Sequence, residues 1–414
     1  MKQHYDIVIA GGGMVGASLA CALLPAAQKL GLHIAIVEAF PLKQEALAYQ
    51  PSYDARATAL AYGSRTIYEV MGIWDTLQEH LSPIKQIHVS DKGHFGAARL
   101  NAEDESVPAL GYVVENHWLG RVLWDRLHKP DAKPVEFIAP AEVIGIDTGD
   151  ENMTVTLKAD GQERTLSCEL VVMADGGRSE LREKMGIGYT RTTYAQHAIV
   201  ANVSPDREHG DVAYERFTDS GPIALLPLEQ QNGLHRCGLV WTVPDDQVED
   251  VLALGDEAFL ARLQERFGYR AGNFIKVGER SSYPLSLVLA DEQVRRGVVV
   301  LGNAAHALHP IAGQGYNLAL RGVAALADQL IMARKEGKHL GELALLQGFY
   351  EQQYRDQQKT IGFSDQTMKL FSNSNLVLAL GRNLGLQAMN LCPPARTLFA
   401  RAAMGLDMPA PKLK

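Results

Sequence analysis

Three short stretches of this chain hold residues whose types and spacing could do chemistry. In the first, Gly11, Gly13 and Gly16 keep a G-x-G-x-x-G interval directly after the β-branched run Ile7-Val8-Ile9. Glycines so spaced let a strand turn tightly into a helix. They also let backbone approach a pyrophosphate, whose charge then meets free N–H groups at the helix start. Glu38 stands 22 residues beyond Gly16, at the end of the apolar run His33–Val37. An acid about 20 residues on is placed to hydrogen-bond a ribose, and it favours FAD or NAD over NADP. The second stretch is Ala174-Asp175-Gly176, at the end of another apolar run, Ser167–Met173. The third, LGNAAHALHPIAGQGYNLAL from Leu301 to Leu320, combines Gly313 and Gly315 with His306, His309 and Pro310.

Other chemistries fit poorly. His306 and His309 have the spacing of one helical face, but no cysteine or carboxylate cluster joins them and Pro310 and Gly313 interrupt a helix. No metal site is expected. A G-x-S-x-G nucleophile elbow is absent. Cys21, Cys168, Cys237 and Cys392 form no C-x-x-C pair, which favours reduced thiols over a disulfide framework or a zinc site. A net charge of −8 argues against a nucleic-acid partner. The chain opens directly on a strand, without a signal-peptide pattern, and no apolar run is long enough to span a bilayer. A cytoplasmic protein is expected.

The elements that must position these residues follow from periodicity. Ile7–Ala10 reads as a buried strand, Ala17–Leu24 as a helix ending before Pro25, and Val298–Leu301 as a further strand of the same sheet. Met153–Leu157, Ala213–Leu228 and Cys237–Thr242 alternate like half-buried strands. Helices are expected over Leu320–Ala333, Leu343–Thr360 and Leu376–Ala403, the last broken at Pro393-Pro394. The fold class is therefore α/β, with a doubly wound domain into which a mostly β domain is inserted. At 414 residues the chain has room for both.

The three motifs, in this order along nearly the whole chain, resemble those of the FAD-dependent aromatic hydroxylases that share the para-hydroxybenzoate hydroxylase fold. The segments Tyr214–Leu228, Gly302–Leu320 and Gly381–Arg396 are similar to the ubiquinone-biosynthesis members of that family, which act on a 2-polyprenyl-6-methoxyphenol. The resemblance implies a glutathione-reductase-like FAD-binding domain over 1–75, 105–185 and 286–345. It implies a substrate domain over 76–104 and 186–285, and a helical C-terminal region over 346–414. It also implies that Gly11, Gly13, Gly16, Glu38, Arg56, Asp175, Asn303, Pro310, Gly313, Gln314, Gly315 and Asn317 hold FAD. Asn303 stands where the family usually has Asp, so an amide replaces a charge, as in the ubiquinone-pathway relatives. Asn317 would offer its amide to the flavin edge. Asp175 could instead cap a helix beginning near Ser179, and Arg56 could be a solvated surface charge.

The chemistry the resemblance implies uses NAD(P)H and O2 as co-substrates. A flavin C4a-hydroperoxide is the electrophile, and a lipophilic polyprenyl phenol is the nucleophile. The cofactor carries the hard step and the protein positions and excludes water. Tyr214, Arg216 and His306 are candidates for a catalytic role by position only. Other flavin chemistry on the same fold, a different aromatic substrate, or a non-enzymatic flavoprotein scaffold remain open, although the W-x-W motif of flavin halogenases is missing. A greasy substrate implies contact with a membrane or a ubiquinone-biosynthesis complex. The leucines from Leu376 to Leu391, interspersed with Arg382, Arg396 and Arg401, could lie at an interface or dock on the protein's own core.

Overall fold

A computed structural model describes residues 4–41, 52, 56–94, 96–177, 180–309, 313–371 and 392–406. The strand His4–Ala10 lies between Ile34–Val37 and Gln162–Met173, parallel to both. Val298–Val300 and Val135–Ile138 extend this parallel sheet on either side. Both faces of the central strand are covered, which is why its sequence is apolar without alternation. Ile7 and Ile9 pack under the helices, while Val8 and Ala10 join a second apolar cluster with Val155, Leu157 and Val171.

The helix after the first glycine motif runs Met14–Leu30, with Pro25 inside it. The expected stop before Pro25 is thus corrected. Pro25 is exposed, whereas Leu19 to Leu24, Ala26 and Ala27 are buried. Burial of that face outweighs the roughly 3 kcal/mol that an interior proline costs. Against it packs the helix Gln314–Lys335, which starts earlier than Leu320 because Gly313 already supplies its left-handed N-cap. Helix Leu343–Phe371 extends beyond Thr360 and packs on Gln314–Lys335.

The second sheet has nine strands and includes Gln86–Asp91, Tyr189–Pro205, Val212–Thr218, Gly221–Gln231, Leu234–Pro244 and Ser281–Ala290. The expected strand Ala213–Leu228 is in fact a hairpin turning at Asp219 and Ser220. One face of the sheet is backed by helix Asp256–Phe267 through Phe259, Leu263 and Phe267. The other meets a small sheet of Ala57–Ala61, Ser82–Ile84 and Gly111–Glu115. His306–Ala307, from the third motif, is an edge strand of the large sheet.

The expected limit at 75/76 falls in helix Trp74–Leu77, that at 104/105 in the short helix Glu103–Glu105, that at 285/286 in strand Ser281–Ala290, and that at 345/346 in helix Leu343–Phe371. The expected interfacial stretch Leu376–Leu391 lies outside the described residues. Helix Pro393–Ala403, C-terminal to that stretch, docks on the protein itself. Ala400 and Met404 are buried with Leu100, Ala102 and Leu110, and Gly63 N–H donates to Met404 O at 2.8 Å.

Candidate cofactor and substrate site

The first motif closes a cradle at the C-terminal edge of the parallel sheet. Gly11 has φ +107°, and a Cβ there would meet the Ala174 carbonyl oxygen at 2.6 Å, so this glycine lets the first and second motifs touch. A Cβ on Gly16 would lie 2.0 Å from Gly11 O. Gly13 differs, since a Cβ there would meet nothing within 4 Å. It is the N-cap of Met14–Leu30, which has no side-chain cap and no acid in its first turn. Glu38 reaches back across the cradle, where Gly12 N–H donates to its Oε2 at 2.7 Å and Phe40 N–H to its Oε1 at 3.1 Å.

The second and third motifs are bolted together. Arg182 is buried, and its guanidinium donates to Ala304 O at 2.9 Å. Asp175 Oδ1 accepts from Gly177 N–H at 2.9 Å, closing a local turn. Ser179 lies outside the described residues. Asn303 is exposed, with its backbone beside Gly177.

In the third motif Gln314 is buried. Gly315 resembles Gly13 in that a Cβ there would meet nothing within 4 Å. Helix Gln314–Lys335 also lacks a side-chain N-cap and an acid in its first turn. Asn317 is engaged within the protein. Its Oδ1 accepts from Ala61 N–H at 2.8 Å and from Ser64 Oγ at 2.7 Å, and its Nδ2 donates to Ala59 O at 2.9 Å and Gly313 O at 2.8 Å. With both donors and both lone pairs used, this amide holds the glycine loop against strand Ala57–Ala61. It is not free for the flavin edge. Pro310 lies outside the described residues. Arg56 reaches across to the substrate sheet, where it donates to Tyr283 Oη at 3.2 Å.

The three candidates for a catalytic role are not brought together. Tyr214 faces the helix behind the substrate sheet, its ring edge-on to Phe267 at 5.7 Å. Arg216 points the same way, toward Ser90 and near Arg270, and burial with that second cation lowers its pKa. His306 is buried, and burial pushes its imidazole down to about 4, so it is neutral at physiological pH. His309 is likewise pushed down to about 4 by burial and packs edge-on to Tyr194 at 5.4 Å. Tyr194 in turn donates to Asp365 at 3.1 Å.

Sequence reasoning passed over Glu215. Alternation along Val212–Thr218 puts it on the opposite face from Tyr214 and Arg216, with Ala213. Ala213 packs in a cluster with Ala57 and Ala59, on the strand against which the glycine loop of the third motif is held. Also spanning the two sheets is a buried pair, Arg236 with Glu115 at 2.9 Å.

A dinucleotide fits this arrangement. Two helix N-termini without caps or acids converge with open space at Gly13 and Gly315, and an acid closes the second strand. The comparisons agree. A family model described as an FAD binding domain matches residues 4–343. The chain is 38% identical over 405 residues to the ubiquinone hydroxylase UbiL of Rhodospirillum rubrum, covering 97% of this chain and 89% of that one. It is 30% identical to the 3-demethoxyubiquinol 3-hydroxylase of Escherichia coli, covering 98% of this chain and 100% of the relative. The fold matches p-nitrophenol 4-monooxygenase PnpA of Pseudomonas putida with a TM-score of 0.76 at 20% identity, over 98% and 99% of the two chains.

Proposed function

We propose, from the premise that this chain belongs to the FAD-binding-domain family and is an FAD-dependent aromatic monooxygenase, that it hydroxylates a polyprenylated methoxyphenol on the way to ubiquinone. The observation that carries this reading is the full-length similarity to ubiquinone hydroxylases, on a chain whose glycine cradle is intact.

Bound FAD supplies hydride acceptance from NAD(P)H and delivery of one oxygen of O2 to a nucleophilic ring. The chain's own residues do the rest. N–H groups opening Met14–Leu30 would hold the pyrophosphate, and the Glu38 carboxylate would accept from the ribose. N–H groups opening Gln314–Lys335 would stabilise negative charge on a bound ring system. Arg182 keeps Asp175 and Asn303 in register beside them. The face of the large sheet that carries Ala213, Glu215 and Leu226 covers the reacting ring and keeps water out.

A prenyl tail needs an apolar path. No helix among the described residues is long and apolar enough to cross a membrane, so we assign the contact with lipid to the surface. Leu398 and Phe363 are exposed there, and Phe363 packs on Phe399, the chain neighbour of Leu398, at 5.9 Å.

The test is the visible spectrum of the purified protein during anaerobic NADH or NADPH addition, with and without a short-chain prenyl methoxyphenol. Flavin bleaching that accelerates with the phenol supports the reading. A colourless protein that cannot be loaded with FAD refutes it. Bleaching indifferent to the phenol points to another substrate or another flavin chemistry.

A further inference from the structure

Glu215 is a carboxyl without a hydrogen-bond or ion-pair partner among the described residues. It is half-buried on the sheet face that looks toward the cofactor strand. Across the register it faces Val89 on one side and Ala224 on the other, both apolar and both half-buried. The charged groups of that face are committed elsewhere, Glu115 to Arg236 and Arg56 to Tyr283. Burial alone acts on the Glu215 carboxyl, and it pushes the pKa up to about 8.

A lone carboxyl in an apolar crevice costs stability, and such sites are retained where the group meets a ligand. The position fits one. Ala59 belongs to the cluster beside Ala213, and a Cβ on Gly313 would lie 3.1 Å from the Ala59 methyl. Glu215 therefore lies on the sheet face that meets the strand holding the glycine loop of the third motif, the side on which a bound ring would approach the flavin.

We propose that Glu215 is a catalytic residue that binds the phenolic hydroxyl of the substrate and takes its proton as the ring is hydroxylated. This rests on the function proposed above. The O–H bond of the phenol breaks and its proton passes to the Glu215 carboxylate. The freed electron pair moves into the ring, and the ortho or para carbon forms a C–O bond to one oxygen atom of O2. The other oxygen leaves as water, and NAD(P)H supplies the two electrons through the flavin. Loss of the proton from the attacked carbon restores aromaticity. Glu215 returns its proton to the phenolate and is ready for the next turnover. A base with a pKa raised toward that of a phenol is well matched to this transfer, which general-base catalysis makes worth on the order of 10²–10⁴ in rate.

The experiment compares wild type, Glu215→Gln and Glu215→Asp, all loaded with FAD. Glu215→Gln should bind FAD normally and lose on the order of a hundredfold in kcat, with Glu215→Asp recovering part of it. A second readout needs no turnover: the Kd of a phenol measured from flavin perturbation without NAD(P)H, from pH 6 to 9. Wild-type affinity should rise as the carboxyl ionises, and Glu215→Gln should be flat. Glu215→Gln should also fold more stably above neutral pH, because the folded state no longer resists ionising that group. Unchanged kcat and an unchanged pH profile in Glu215→Gln, in an active wild-type background, overturn the proposal alone. A wild type that neither binds nor oxidises with any phenol overturns the function reading and this proposal with it.

Discussion

The glycines of the cradle separate into those the fold needs and those only a ligand needs, and this separation can be measured. At Gly315 a Cβ would meet nothing within 4 Å, and the residue lies in the first turn of Gln314–Lys335. Replacing a helical glycine by alanine gains about 0.5–1 kcal/mol through the unfolded chain's entropy. Gly315→Ala should therefore stabilise the FAD-free protein slightly. With FAD bound, the same methyl intrudes on a close backbone approach. Overpacking of this kind costs about 1–3 kcal/mol, so the FAD Kd should rise by roughly 5- to 150-fold. Gly16→Ala is the opposite case. Its Cβ would lie 2.0 Å from Gly11 O, a backbone atom with nowhere to move, so the FAD-free protein itself should be destabilised. The assay is urea denaturation of the stripped proteins by far-UV circular dichroism, paired with FAD titration by fluorescence quenching. If Gly315→Ala binds FAD within twofold of wild type, the open space at Gly315 is not the flavin's, and the cradle reasoning fails.

The buried polar groups supply further tests. Asn317→Ala should orphan Ala61 N–H and the Ala59 and Gly313 carbonyls, each costing about 1–3 kcal/mol; FAD retention on a desalting column and the thermal midpoint should both fall, and an unchanged midpoint would show the clamp to be slack. Arg236→Met should take the ionic partner from the buried Glu115 carboxylate and cost about 3–5 kcal/mol, with the double variant Glu115→Gln/Arg236→Met recovering most of it; additive losses in the double-mutant cycle would contradict a coupled pair. His309 is held neutral in the fold with a pKa near 4, against an ordinary 6.5. The unfolded chain therefore binds more protons between those values, and stability falls as pH drops through that window by about 1.4 kcal/mol per pH unit for each such histidine. His309→Leu should make the acid limb of a denaturation series shallower, and an identical limb would refute the burial argument.

Much of the cofactor site was legible because its determinants are local. The turn from strand to helix and the distance to the acid at Glu38 are set by a few consecutive residues, and glycine's lack of a Cβ marks the turn in one dimension. The substrate side was legible only in outline. The segment Val212–Thr218 alternates, so its residues divide into two sets, Tyr214 with Arg216 and Ala213 with Glu215. Alternation does not say which set faces the cofactor, and the aromatic and the arginine were the more conspicuous choice.

By itself, then, the sequence determined that a dinucleotide meets backbone at a parallel sheet's edge, since period and glycine spacing are properties of a few covalently adjacent residues. Tertiary structure decided what distant residues share. Asn317 is spent on a strand more than 250 positions away, and Arg182 on the third motif. Glu215 gains its raised pKa from apolar neighbours on other strands. Hydrogen bonding, desolvation and the choice of sheet face depend on which surfaces close on each other, and that is settled only when the two domains pack.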